Sequence, residues 1–336
     1  MDRYIRQSIF PGIGSEGQRR LGAARVAILG LGATGSALAN ILIRAGVGAL
    51  RLVDRDWVEW HNLPRQTLYT EEDARQQLPK AVAAAAHGAA INSEIALEPL
   101  VADVNADTID EAIGAADLVL DGSDNFELRY LINDWCVRGQ VPWVYTGVVA
   151  SYGMTATFRP GGPCYRCAFP HAPAPGSAPT CETAGVVGPI VGALANLAAA
   201  EAMKLLTGNG TPNPGLLAVD LWSWSFDQWP LPPRDPACPA CGRGEFAFLD
   251  GDQRATASLC GRNAVQVRPQ IRGRLELGEL AARLGQAGVE SRQNGYLLRF
   301  AAEAVEWTVF PDGRAIITGT EDESHARGLY ARWIGM

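Results

Sequence analysis

Residues 26–35, VAILGLGATG, decide the fold. Apolar residues of strand character run into Gly30-Leu31-Gly32-Ala33-Thr34-Gly35, and a helical run, Ser36 to Ala45, follows. Strand, glycine turn and helix in that order form a phosphate-binding unit. The first glycine permits the tight turn, the second lets a phosphate approach the backbone, and the third lets helix and strand pack closely. About 20 residues further on, the second strand LRLVDRD carries Asp54 at its end, placed to accept hydrogen bonds from ribose hydroxyls. NAD, FAD and ATP all satisfy this pattern, so it specifies a nucleotide and leaves its identity open.

Working outward, β-like runs at Arg25–Leu29, Leu50–Asp54, Ile95–Val101, Leu118–Asp121 and Trp143–Val148 alternate with helical runs, including Lys80–Ile91 and Phe126–Val137. That alternation predicts an α/β fold with a doubly wound, Rossmann-like, mostly parallel sheet. From Pro160 to Thr183 the text turns to Pro, Gly, Ala and Cys, which predicts a long loop ahead of a helix beginning near Val186. The nucleotide domain is expected over residues 1–245, with a crossover loop at about 168–186 and a connector at 246–262. Residues 263–336 read as a small C-terminal α+β domain. Its expected order is β, α, β, β, β, α over Val265–Val267, Leu277–Leu284, Gly295–Phe300, Val305–Phe310, Ala315–Thr318 and His325–Ile334, with Asp312-Gly313 as a hairpin turn.

Composition narrows the function classes. The 336 residues are 47% hydrophobic, enough for two cores, and Asp plus Glu outnumber Lys plus Arg by 36 to 29, a net charge of −7. An acidic balance argues against nucleic acid or an anionic membrane as the main partner. The N-terminal MDRYIRQSIF has no apolar signal core, and the most apolar segment, Val186–Leu206, is interrupted by Asn196, Glu201 and Lys204. A cytoplasmic protein without a membrane span is expected. Four of the seven cysteines form two C-x-x-C pairs, Cys164/Cys167 and Cys238/Cys241, the donor set of a closed tetrahedral Zn²⁺ site. Neither pair follows the first strand of a thioredoxin-like unit, so a structural metal is expected instead of a redox pair.

A second constellation is charged: Arg6, Arg65, Lys80 and the pair Asp121 and Asp124 of DGSDN. An NAD-dependent oxidoreductase on the same turn is the rival reading. It needs a positioned proton donor, and His61, His87, His171 and His325 sit in no such motif. A triphosphate enzyme needs cations and a carboxylate-held Mg²⁺ to offset phosphate charge, and this set supplies them.

RYIRQ, GLGATG, LVDRD, NLPRQ, LPK, DGSDN, CYRC, TCETAG and CPAC occur in one order over residues 1–245. In that series the chain resembles the ThiF/MoeB adenylyltransferases, relatives of the ubiquitin-activating enzymes. DNFELRYLIND, the CETAG loop and the extension with SLCGR, FPDGR and ARGLYARWIG look most like the longer thiamine-pathway ThiF. The resemblance implies ATP-dependent adenylation of the C-terminal Gly-Gly carboxylate of a ubiquitin-like sulfur carrier, of ThiS or MoaD type. Pyrophosphate leaves, and the carrier is readied for thiocarboxylate formation in thiamine thiazole synthesis. Carriers for molybdopterin or tRNA thiolation share the tail and stand as alternatives. By position, the resemblance implies nucleotide contacts from Gly30, Gly32, Gly35, Asp54, Asp56, Asn62, Arg65, Gln66, Lys80, Asp124 and Asn125. Asp54 would hold the ribose; Asn62, Arg65 and Lys80 the phosphates; and Asp124 the Mg²⁺. Arg6 matches an arginine that reaches the partner's active site, which implies a homodimer. Cys181 matches the crossover-loop cysteine that can bond through sulfur to the carrier's terminal carbonyl. The sulfur itself is implied to come as persulfide from a cysteine desulfurase or rhodanese. Two departures stand out, Ala33-Thr34 where many members have Gly-Leu and DGSDN for the commoner DCTDN. Both keep the Gly and Asp positions.

Overall fold

The computed structural model describes residues 3–172, 181–251, 256–259, 263–268 and 274–335, with the backbone alone at 181–182 and 256–259. They form two compact units. The first takes in the described residues to 172 and from 184 to 251, and the second residues 181–183 and those from 256 onward.

In the first unit, two N-terminal helices, α1 (Ile5–Ile9) and α2 (Gly14–Ala23), precede β1 (Arg25–Leu29), α3 (Ala33–Ala45) and β2 (Ala49–Asp54). Then come α4 (Glu71–Gln76), α5 (Lys80–Ile91), β3 (Ala96–Val101), α6 (Ile109–Ile113), β4 (Leu118–Asp121), α7 (Phe126–Gly139) and β5 (Trp143–Val149). The chain continues through β6 (Tyr152–Phe158), α8 (Tyr165–Ala168), α10 (Gly188–Thr207), β7 (Gly215–Asp220) and β8 (Ser225–Pro230), whereas Cys181 to Thr183 of the short α9 (Cys181–Ala184) group with the second unit. One eight-stranded sheet has the order β3-β2-β1-β4-β5-β6-β7-β8. Its first five strands are parallel, and the pairs β5/β6, β6/β7 and β7/β8 are antiparallel.

The sequence of β1 shows why the sheet is covered on both faces. Successive side chains of a strand point to opposite faces. Val26 and Ile28 enter one core with α3, α5 and α10, whereas Ala27 and Leu29 enter another with α6 and α7. A strand apolar at four successive positions, Val26 to Leu29, therefore needs helices on both sides, which right-handed β-α-β crossovers supply. Helix α10 spans 20 residues and is long and apolar enough to cross a membrane by length and composition. Here it lies against α3, β5 and β6 and buries Ile190, Val191, Leu194 and Ala195 in the core.

The sheet extends further than the sequence suggests. The expected strands stop at Val148, and the antiparallel half, β6 to β8, is additional. Strands β5 and β6 are joined by Ala150-Ser151, with Ala150 at φ 52. Two-residue hairpin turns with positive φ usually announce themselves by Asn-Gly or Asp-Gly, and this one carries neither.

In the second unit, β9 (Thr256–Leu259), β10 (Ala264–Val267), β11 (Ser291–Gln293), β12 (Leu298–Ala302), β13 (Val305–Val309) and β14 (Ala315–Thr318) form an antiparallel sheet in the order β11-β12-β13-β14-β10-β9. Helices α11 (Leu277–Gln286) and α12 (Glu323–Trp333) share a core with Val265, Trp307 and Ile317. The expected Asp312-Gly313 turn joins β13 to β14, with Gly313 at φ 80. The strand expected from Gly295 begins instead at Leu298, because Asn294 Oδ1 accepts from Tyr296 N–H and Leu297 N–H, both at 3.2 Å, and closes a turn there.

Candidate nucleotide and metal sites

Gly30 follows β1, Asp54 ends β2 and Asp121 ends β4, so three carboxyl ends of adjacent strands converge where the strand order reverses. Open α/β sheets bind ligands at such a switch point. The three glycines of the turn differ in what they permit. A Cβ on Gly35 would lie 1.8 Å from the Gly30 carbonyl oxygen, and one on Gly30, at φ 88, would lie 2.9 Å from Ser123 N. Those two glycines are required by packing between the turn, α3 and the loop after β4. Gly32, the N-cap of α3, is different: its Cβ would meet only Gln66 Nε2, at 4.0 Å. The space above it is open, at a helix N-terminus whose unpaired N–H groups favour an anion.

Of the residues expected from the sequence, Gln66 borders that space, Asp54 is tied to the glycine turn, and Lys80 joins them through Asp56. Asp54 is buried, and its two oxygens accept Leu31 N–H at 2.6 Å and Asp56 N–H at 2.7 Å, which ties the glycine turn to the end of β2. Burial pushes its pKa up, with the Lys80 ammonium opposing. Lys80 begins α5 with its side chain 6% exposed, and its Nζ lies 3.5 Å from Asp56 Oδ2. Asn62 is buried at a capping box, its Oδ1 accepting from Glu59 N–H. Gln66 is buried against the cradle, and its Oε1 has no hydrogen-bond partner among the described residues. A buried amide oxygen without a partner is costly, and a bound group that donates to it removes the cost. Arg65 precedes it, half-buried, with Nη1 donating to the His61 carbonyl at 2.7 Å.

The two aspartates of DGSDN have separate fates. Asp121 is fully buried and faces Arg129, whose Nε donates to its Oδ2 at 3.1 Å, while Ser123 N–H and Oγ donate to its Oδ1 at 2.9 and 2.7 Å. It therefore belongs to the frame of the loop and is not a free site charge, which corrects its place in the charged constellation. Asp124 is exposed, and no hydrogen bond or ion pair engages its carboxylate among the described residues. Asn125 caps α7, with its Oδ1 accepting from Glu127 N–H and Leu128 N–H at 2.9 and 3.4 Å.

The four C-x-x-C cysteines come together, with all Sγ atoms within 4.8 Å of one another. Cys164 lies 3.9 Å from Cys167 and 3.6 Å from Cys238, and Cys167 lies 3.4 Å from Cys241. Tetrahedral zinc with Zn–S bonds of about 2.3 Å requires sulfurs about 3.8 Å apart. The donor set and spacing fit zinc, and all four positions are filled by protein, as in a structural site.

A model of the ThiF family matches residues 4–240. The chain belongs to the ThiF family. It is 43% identical over 336 residues to the sulfur carrier protein ThiS adenylyltransferase of Bacillus subtilis, covering 99% of both chains. The sulfur carrier protein adenylyltransferase of Thermus thermophilus is 41% identical over 72% of this chain and 91% of its own length. Among solved structures, Escherichia coli MccB with ATP shares the fold at a TM-score of 0.60 and 25% identity, covering 68% of each chain.

Within this ThiF-family chain, one expected site residue stays away from the cradle. Gln7, next to Arg6, donates to the Ala45 carbonyl at 2.9 Å, and Tyr4 packs on Gly46. Helix α1 is thus fixed at the C-terminal end of α3, whose 13 residues separate it from the glycine turn by about 20 Å. The backbone of Cys181 opens α9, and its side chain lies outside the described residues, as does Cys260. Three residues that sequence reasoning passed over also build the site. Gly122 leaves room for the Gly30 carbonyl, which a Cβ would approach to 2.3 Å. Tyr69 Oη donates to the Leu31 carbonyl at 2.7 Å, and Arg129 clamps the loop before Asp124. The DGSDN motif signalled the first, and no local pattern signalled the other two.

Proposed function

We propose that this ThiF-family chain is a sulfur carrier protein adenylyltransferase. It activates the C-terminal Gly-Gly carboxylate of a ubiquitin-like carrier of ThiS type with ATP and readies it for thiocarboxylate formation in thiamine thiazole synthesis, in the cytoplasm. The observation that carries the reading is the open space at Gly32, at the N-terminus of α3 and bordered by the Gln66 Nε2 donor. It is a cradle for a phosphate chain beside Arg65. The B. subtilis relative, named for the same activity over the same length, and the ATP complex of MccB support it.

The carrier's terminal carboxylate is ionised at pH 7, so it attacks the α-phosphorus without a general base. The bond to the bridging oxygen breaks and pyrophosphate leaves, giving an acyl-adenylate. Negative charge growing on the α-phosphate is met by Arg65, Lys80 and Arg6 of the partner subunit in a homodimer. Each such donor contributes about 3 kcal/mol, on the order of a hundredfold in rate. Asp124, exposed beside the cradle, would hold Mg²⁺, which supplies charge neutralisation for the triphosphate. Asp54 and Asp56 would serve the ribose, and Asn62 and Asn125 would line the nucleotide. Cys181 would take up the activated carrier through sulfur, and a separate persulfide donor would deliver the sulfur atom. Trp222, Trp224, Phe226 and Trp229, exposed on β8 and the turn before it, offer an apolar surface for the carrier's folded body.

The test is to incubate the protein with ATP, MgCl₂ and purified carriers and to weigh the products. Wild type should yield carrier-AMP, Asp124→Asn about a hundredfold less, and Cys181→Ala the adenylate without a covalent carrier adduct. Carrier-AMP at the wild-type level from Asp124→Asn would refute the metal role.

A further inference from the structure

Arg129 is a buried cation in a place where an aliphatic side chain would cost less. Its side chain is 6% exposed, and its guanidinium lies 4.8 Å from the Phe126 ring centroid and 5.2 Å from that of Tyr145. Burial opposes its charge, yet the nearby Tyr145 and Asp121 hold its pKa above the usual value. Replacing a buried ion pair by apolar residues is often neutral or stabilising, so stability alone is a weak reason for this one.

What the guanidinium does, and an aliphatic chain could not, is bond in two directions. Nε donates to Asp121 Oδ2 at 3.1 Å, at the end of β4, and Nη2 donates to the Ser123 carbonyl at 3.0 Å. Asp121 in turn accepts from the Ser123 N–H and hydroxyl. Ser123 is thus gripped at its carbonyl, its amide and its side chain. One neighbour in sequence is Gly122, whose backbone packs on Gly30 and Gly35 of the phosphate cradle. The other is Asp124.

We propose that Arg129 is a positioning residue that sets the distance between the Asp124 carboxylate and the glycine cradle without touching the nucleotide. The proposal rests on the reading of Asp124 as the Mg²⁺-holding group. A lysine at 129 can keep a charge beside Asp121, but its single nitrogen cannot span Asp121 and the Ser123 carbonyl in the same planar geometry. Loosening Ser123 would let Asp124 wander relative to the glycine cradle, and a Mg²⁺ ion that Asp124 would hold there would bind more weakly.

The experiment titrates MgCl₂ in carrier-dependent ATP–pyrophosphate exchange, using the full chain as wild type, Asp124→Asn, Arg129→Lys and Arg129→Met, with melting temperatures recorded alongside. Half-saturating Mg²⁺ should rise about tenfold in Arg129→Lys and further in Arg129→Met, with a smaller change in the rate at saturating metal. If Arg129→Met does not fold, the lysine variant carries the test. A purely structural role lowers the melting temperature while leaving half-saturating Mg²⁺ and the KM for ATP as in wild type. That pattern in folded Arg129→Lys, with Asp124→Asn defective, overturns the positioning role and leaves the Asp124 assignment standing. Wild-type Mg²⁺ dependence in Asp124→Asn overturns the assignment and the proposal together.

Discussion

Gly32 and Gly35 stand three residues apart in one turn, and each lacks a side chain for a different reason. At Gly35 a methyl group would collide with the Gly30 carbonyl at 1.8 Å, so backbone must move. At Gly32 it would occupy open space. Gly35→Ala should therefore lower stability by about 3 kcal/mol, the scale of overpacking. Gly32→Ala should cost under about 1 kcal/mol of stability yet weaken ATP binding at least tenfold, about 1.4 kcal/mol, because the methyl takes the phosphate's place. Chemical denaturation and calorimetric ATP titration separate the two, and equal loss of stability in both variants would contradict the division. The glycine pattern was legible because its requirement is steric and local. The distinction between Asp121 and Asp124 was not, although both lie in DGSDN. It depends on Arg129, which α7 brings back to the end of β4 from eight positions along the chain, and no short-range pattern records that return.

Helix α7 links the two candidate sites along its length. Its first turns carry Asn125 as cap and Arg129 as clamp, and its later turns hold the cysteine knuckle: Asn133 Oδ1 accepts Tyr165 N–H at 2.8 Å, and Asp134 lies 3.6 Å from Arg166. Tyr130 Oη donates to the Phe169 carbonyl at 3.0 Å, just past the knuckle. A metal on the four cysteines closes a segment of about 70 residues between the pairs, and a structural zinc contributes about 10 kcal/mol or more to folding. Treatment with a strong chelator, or Cys241→Ser, should abolish one equivalent of bound zinc and lower the melting temperature by more than about 10 °C. Zinc analysis with calorimetry checks this, and an unchanged transition in metal-free protein would remove the structural role. The paired spacing made the cysteines readable. The parallel strands were readable for a related reason, since burial on both faces writes continuous apolar runs such as VAIL at 26–29. Strand β8 escaped notice because it is a sheet edge, and Phe226 and Trp229 stay exposed there instead of alternating with polar residues into a core.

A single chain assembles the cradle but leaves one expected cation outside it. Helix α1 is tied to Ala45, Gly46 and Asn92 by Gln7 and Tyr4, at the end of the first unit's sheet away from the glycine turn. Arg6 is exposed there, and no hydrogen bond or ion pair holds it among the described residues. An arginine about 20 Å from the glycine turn of its own chain could act there only from a second copy, so the role proposed for Arg6 requires a dimer with two composite sites. This makes a prediction that no single-chain arrangement shares. Arg6→Ala and Asp124→Asn should each be nearly inactive alone. Mixed in equal amounts and allowed to exchange subunits, half of the dimers pair one of each, and each such dimer has one site with an intact Arg6 and an intact Asp124. The mixture should recover about a quarter of the wild-type exchange rate, on the simplest statistics of a two-fold dimer. If Arg6 instead served its own chain, every site in the mixed dimer would lack either the arginine or the carboxylate, and mixing would recover nothing. An affinity tag on one variant that co-purifies the untagged other confirms that exchange has taken place, so a failure to recover activity would count against the shared site and not against the mixing.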